Sequence, residues 1–204
     1  MSRLATAFLV ATGMALGTPT FSGEFNAKMN IGDAAPAFKD LQGVDGKKHG
    51  LADYKKDLVV VVFFSNHCPI AEDYQERIIA FAKKYREKVD VVALNVSILE
   101  EDVLDKMVER AKEAGFNFDY LIDPSQQIGR AYGATVTPEF FLLNKERKIV
   151  FMGGMDDNNN AKKVSKQYLE PAVEAVLKGE KPPRAETPAR GCDIRYEKKK
   201  KDSK

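Results

Sequence analysis

At 204 residues, 44% of them hydrophobic, the chain can bury one substantial core, and nothing in it suggests two. Its 32 basic and 30 acidic side chains leave a formal net charge of +2, so no broadly basic, nucleic-acid-binding surface is expected. The sequence contains no internal repeat, P-loop or Gly-rich dinucleotide fingerprint, and no cofactor is expected.

Residues 1–22 read as an export signal. Arg3 supplies a positive start, Leu4 to Gly17 is apolar with small polar interruptions, and Thr20 and Ser22 offer small residues for cleavage. The apolar run is shorter than a bilayer-spanning helix needs, so no stable membrane insertion is expected if the signal is cleaved. An uncleaved anchor and a buried first helix are the alternatives.

Residues 23–180 carry the pattern of a folded domain. Asp45-Gly46 marks a tight turn between short extended pieces, Phe38 to Leu41 and Lys47 to Leu51. Leu58 to Phe64 is apolar without alternation, as a parallel strand covered on both faces requires. After Cys68-Pro69, the residues Ile70, Tyr74, Ile78, Phe81 and Tyr85 recur at helical spacing. Val89 to Val96 is a second interior strand. Ser97-Ile98-Leu99-Glu100 has the form of a capping box, predicting a helix with Val103, Met107 and Ala111 as its inner stripe, Leu104 and Val108 beside it, and Gly115 as its stop. Phe118 to Ile122 reads as a short strand. Asp123-Pro124 reads as an N-cap and first helical residue of a short helix ending near Gly133. Phe140 to Leu143 and Ile149 to Met152 flank a polar turn, predicting a hairpin. A polar loop at 156–160 precedes a helix expected from about Lys162 to Leu177. The order predicts an α/β fold whose central sheet is mixed, because the hairpin adds antiparallel strands to a parallel start. Residues 181–204 form an extended arm, kept so by Pro182, Pro183 and Pro188, carrying Cys192 and a basic tail best read as solvated charge.

Cys68 is the candidate reactive group. It follows a buried strand and opens a helix, where unsatisfied backbone N–H groups and the helix dipole favour the thiolate over the thiol. His67 beside it lowers the thiol pKa further when protonated. No close-spaced ligand pair accompanies His49 and His67, so no metal site is expected. Cys192 is the one possible intrachain partner of Cys68, and an exported chain permits oxidation. A redox-active pair, a structural link elsewhere or between chains, and a free thiol all remain open for it. Pro138, before Phe140-Phe141-Leu142-Leu143, lacks the donor a sheet interior needs, so something must hold it there.

The strand, the Cys68-Pro69 helix start and Ala134-Thr135-Val136-Thr137-Pro138 resemble the thioredoxin-like superfamily. From Ile31-Gly32-Asp33 onward the chain resembles its redoxin branch, the alkyl hydroperoxide reductase and thiol-specific antioxidant family, and Gly191-Cys192 is similar to the tail of its single-Cys-Pro members. The resemblance implies a thioredoxin-like fold, a cis Pro138 beside Cys68, and a backbone at Thr137 and Pro138 that binds an extended partner. Thioredoxins carry Cys-x-x-Cys after Trp; here Ala71 and His67 take those places. Peroxiredoxins carry Thr-x-x-Cys; here Ser65 replaces the Thr. The function implied is thiol-disulfide exchange at Cys68 on protein disulfides, with an unknown thiol reductant, in the periplasm or outside the cell. Two alternatives accompany it: a peroxidase in which Cys192 resolves oxidised Cys68, and a non-catalytic partner-binding module.

Overall fold

Leu58–Phe63, strand β3, is buried at all six positions, and its two side-chain rows enter two different cores. Leu58, Val60, Val62 and Phe64 pack into one cluster, and Val59, Val61 and Phe63 into the other. A strand covered on both faces loses the polar alternation that solvent would impose. Each such Val, Leu or Phe contributes roughly 1.5–3 kcal/mol through burial, which fixes this strand as the centre of the molecule.

The computed structural model describes residues 23–198; the expected signal over 1–22 and the terminal residues 199–204 lie outside the described residues. In chain order the remaining elements are β1 (Leu41–Gly43), β2 (Lys48–His49), α1 (Pro69–Tyr85), β4 (Val89–Asn95), α2 (Leu104–Ala114), β5 (Asp119–Ile122), α3 (Gln127–Tyr132), β6 (Val136–Thr137), β7 (Glu139–Leu143), β8 (Ile149–Gly153), α4 (Leu169–Leu177) and β9 (Cys192–Asp193). Seven strands form one mixed sheet in the order β2-β1-β5-β4-β3-β7-β8. β3 runs parallel to β4, with Leu58 opposite Val89, and antiparallel to β7, with Val61 opposite Phe141. The α/β class, the mixed sheet and the hairpin are as the sequence predicts. β6 and β9 form a separate two-stranded ribbon.

Helices α1, α2 and α4 cover one face of the sheet, supplying Tyr74, Ile78 and Phe81, then Met107, then Leu169 and Val173. The other face carries Tyr132 of α3 and the N-terminal residues Met29, Phe38, Leu51 and Tyr54. There Phe63, Tyr132 and Phe141 meet edge to face, with ring centroids 5.0 to 5.8 Å apart, the arrangement aromatic quadrupoles favour. Helix α1 is also bolted by polar contacts. The Tyr74 hydroxyl donates to Asp156 at 3.0 Å, Arg77 pairs with the same carboxylate and donates to the Asn158 carbonyl at 3.0 Å, and the Tyr85 hydroxyl donates to Glu174 of α4 at 2.7 Å.

The structure corrects four local expectations. The first strands are shorter and later than expected, at Leu41–Gly43 and Lys48–His49, because Leu51 enters a 3-10 turn under the core. The Ser97 to Glu100 segment does not open α2. The Ser97 hydroxyl accepts the N–H of Leu99, Glu100–Asp102 form a 3-10 turn, and the helix starts at Leu104 after Val103. Met107 and Ala111 face the core as predicted, but Val103 and Val108 are exposed. Asp123 and Pro124 sit in a turn before α3, whose first residue is Gln127; the Asp123 carboxylate caps from a distance by accepting the N–H of Ile128 at 2.8 Å. The last helix begins at Leu169 rather than near Lys162, since Asn160 caps only a 3-10 turn, Ala161–Lys163.

Candidate active site

The C-terminal end of β3 delivers Ser65, Asn66, His67 and Cys68 to the start of α1. Cys68 is itself the N-cap: its backbone is extended, its Sγ accepts the N–H of Ala71 at 3.3 Å, and Pro69 takes the first helical position. A sulfur held there faces free amide donors and the positive end of the helix dipole, both of which favour negative charge. No part of Cys68 is exposed to solvent.

Cys192 and Thr137 meet that sulfur, and Pro138 and Ser65 adjoin Thr137. Cys192 is bonded to Cys68, with the two Cα atoms 5.8 Å apart, inside the span disulfides require. The bond joins residues 124 apart in sequence and is possible because the arm returns across the sheet end. There β9 pairs antiparallel with β6, placing Cys192 opposite Thr137 and Asp193 opposite Val136. The Thr137–Pro138 peptide bond is cis, and the Thr137 carbonyl oxygen lies 3.0 Å from Cys68 Sγ. The Thr137 hydroxyl meets the hydroxyl of Ser65 at 2.9 Å. Thus Cys68, Cys192, Thr137, Pro138 and His67, scattered along the sequence, occupy one neighbourhood. His49 stands elsewhere, against Asp45 at the β1–β2 turn. Among the described residues no group of three His, Cys, Asp or Glu side chains is placed to hold a metal ion.

The sequence did not reveal what holds His67. Its Nδ1 meets Asp102 Oδ2 at 2.5 Å, and Asp102 is fully buried. The other carboxylate oxygen accepts the Asn66 N–H at 2.6 Å and the Asn95 side-chain amide at 2.8 Å. Tyr120 closes the network by donating to Asn66 Oδ1 at 3.0 Å while accepting from Asn95 at 2.9 Å. Its hydroxyl is held protonated well above the ordinary range, first by burial and then by the Asp102 charge. A buried carboxylate with three donors is compensated, and here one donor is the imidazole of the residue preceding Cys68. Asp102 sits in a run of three acids, Glu100 to Asp102, and carried no signal that set it apart. Glu139 did: it is a lone acid opening the apolar run of β7. It is 5% exposed, and desolvation raises its carboxyl to about 7 against the N–H bonds it accepts from Thr135 and Val136. A small cleft of about 190 Å³ lies between Ser65, His67, Ile98, Thr137, Ile194 and Tyr196.

A helix-capping cysteine at the end of a central parallel strand, facing a cis proline, is the thioredoxin-like arrangement, and the class it marks out is the oxidoreductases of the redoxin branch. The chain belongs to the AhpC/TSA family, whose pattern matches residues 31–152. Among curated relatives, the thiol-disulfide oxidoreductase ResA of Bacillus cereus is 31% identical over 145 residues, covering 70% of this chain and 80% of the relative. A solved structure from Sinorhizobium meliloti is 34% identical with a TM-score of 0.77, covering 83% of this chain and 96% of that one. One from Geobacillus kaustophilus is 31% identical with a TM-score of 0.78, covering 89% and 98%.

Proposed function

We propose that the protein is an exported thiol-disulfide oxidoreductase in which Cys68 attacks protein disulfides and Cys192 resolves the product. The observation that carries the reading is the Cys68 sulfur, capping α1 and bonded to Cys192 across the Thr137 backbone. In the reduced protein the Cys68 thiolate attacks one sulfur of a substrate disulfide. The substrate bond breaks, one substrate thiolate leaves, and the other half stays linked to Cys68. Cys192, as thiolate, then attacks Cys68 Sγ, releases the second substrate thiol and leaves the Cys68–Cys192 disulfide. Two electrons pass to the substrate, and an external thiol reductant must return them.

Thr137 and Pro138 line the approach and offer an extended substrate their backbone. His67, held by Asp102, is the group that stabilises the Cys68 thiolate when protonated. The division into a signal over 1–22, a catalytic domain over 23–180 and an arm over 181–204 belongs to the same reading. Export is supported by the charge and apolar pattern of residues 1–22 and by a disulfide, which persists in oxidising compartments. No described helix is long and apolar enough to cross a membrane.

Stopped-flow rates of the reduced protein with oxidised glutathione and with hydrogen peroxide test the reading. The expected result is faster exchange with the disulfide, abolished by Cys68→Ser. Faster, Cys68-dependent peroxide consumption would assign a peroxidase instead, and no reaction with either would leave a binding module.

A further inference from the structure

The arm does more than carry Cys192; it occupies a channel shaped for an extended chain. On one side of the cysteine, Asp193 pairs with Val136, and the Ile194 N–H donates to the Thr135 carbonyl at 2.8 Å. Ile194 packs against the core. Two residues on, the Tyr196 hydroxyl donates to the Ala134 carbonyl at 2.7 Å, with the Arg130 guanidinium 4.6 Å from its ring centre. Gln126 clasps the backbone between and beyond, donating to the Arg195 carbonyl at 2.9 Å and accepting the Glu197 N–H at 2.8 Å. On the other side of the cysteine lies Gly191. A Cβ there would stand 2.0 Å from the Thr137 oxygen and 2.5 Å from its carbonyl carbon, both backbone atoms that cannot move aside. Only glycine fits at that place.

We infer that this channel selects the partner: it takes an extended polypeptide segment whose cysteine is preceded by glycine and followed, two and four residues on, by a branched aliphatic and an aromatic side chain. This rests on the proposed exchange chemistry and extends it to sequence preference. The reason is spatial exclusion. Cys68 is fully buried, walled by the Ala71 N–H and the Thr137 carbonyl. With the arm in place nothing of Cys68 is exposed, and the β6 edge beside it is taken, so a substrate strand that pairs with that edge in the arm's register meets the same Thr137 oxygen and the same apolar seat. Arm and substrate therefore take turns in one channel, by strand addition to β6.

The test uses the full chain with Cys192→Ser, reduced, and a synthetic peptide spanning residues 188–197 whose cysteine is held as a mixed disulfide with 5-thio-2-nitrobenzoate. The Cys68 thiolate attacks the peptide sulfur, and coloured thionitrobenzoate leaves with the electron pair. The peptide is compared with its Gly191→Ala and Ile194→Asp forms and with the symmetric small-molecule disulfide of the same reagent. The expected result is a rate at least about tenfold higher for the unaltered peptide than for either altered one. Adding Gly191→Ala to the protein's own arm should raise the rate for the unaltered peptide, because the competitor is loosened. Equal rates for the three peptides, with the small reagent still reacting, would overturn the inference and leave the exchange chemistry standing. No reaction with any of the four would overturn both.

Discussion

Ionising Glu139 should cost the folded protein stability across the neutral range. Its carboxyl is held at about 7 against an ordinary value of 4.5, with burial as the main cause. Between those two values the unfolded chain has released the proton and the folded chain still binds it, so folding stability falls as pH rises. The gap of about 2.5 pH units corresponds to roughly 3 kcal/mol at 1.36 kcal/mol per unit. This contribution is complete below about pH 4.5 and gone above about pH 7. Asp45 and Asp157 are shifted the opposite way, downward by hydrogen bonds to Lys47 and His49 and to Ser165 and Lys166. Their contributions are lost only as acid is added below this window. Glu139→Gln keeps an acceptor for the Thr135 N–H and removes the titration. Urea unfolding from about pH 4 to pH 8, in oxidised wild type and in Glu139→Gln, should give a downward slope in the first and a much flatter line in the second. Parallel slopes would refute the assignment.

Three other outcomes follow from the same geometry. Cys192→Ser should lower stability by up to about 5 kcal/mol in the chain-entropy account of a link between residues 124 apart; a loss below about 1 kcal/mol, measured against oxidised wild type, would mean that strand pairing alone secures the arm. With Cys192→Ser as background, Asp102→Asn should slow alkylation of Cys68 by roughly threefold to tenfold by loosening the carboxylate contact that holds the His67 ring beside it. An unchanged rate would separate His67 from thiolate stabilisation. In α2, Met107→Ala should cost about 2–5 kcal/mol, as a fully buried side chain does, whereas Val108→Ala should stay within about 0.5 kcal/mol; equal costs in thermal unfolding would contradict the observed helix register.

Elements with one dominant physical cause could be read directly. Leu58 to Phe64 admits no helical reading at its length and branching, and Cys68-Pro69 opens α1 because proline loses nothing there. Elements fixed by competition could not. Ser97 and Glu100 have the residue types of a capping box, but the chain spends Asp102 on His67, Asn66 and Asn95, and this buried demand delays α2 to Leu104. Asp123 likewise caps α3 from outside the helix, with Gln126 in a left-handed turn between them. Of the site, the cysteine and the Thr137-Pro138 turn were visible because their chemistry is rare. Asp102, Asn95 and Tyr120 were not, since a buried polar network leaves no periodicity in sequence. The 124-residue pairing was permitted by length and cysteine count, but sequence holds no register for a two-residue ribbon.

The bolts on α1 make the two ends of the disulfide mechanically unequal. Tyr74 and Arg77 fasten the helix to Asp156, Tyr85 fastens it to Glu174, and its apolar side is embedded in the core. If the bond to Cys192 opens, the Cys68 end has no freedom to spend, so any displacement falls on the segment after Gly179, held near Cys192 by the two-pair ribbon and by the hydrogen bonds of Ile194, Tyr196 and Gln126 rather than by a helix packed in the core. In the proposed exchange cycle an electron count would thereby become a position: two electrons gained would leave one end of the chain untethered, and two electrons lost would return it to a fixed berth.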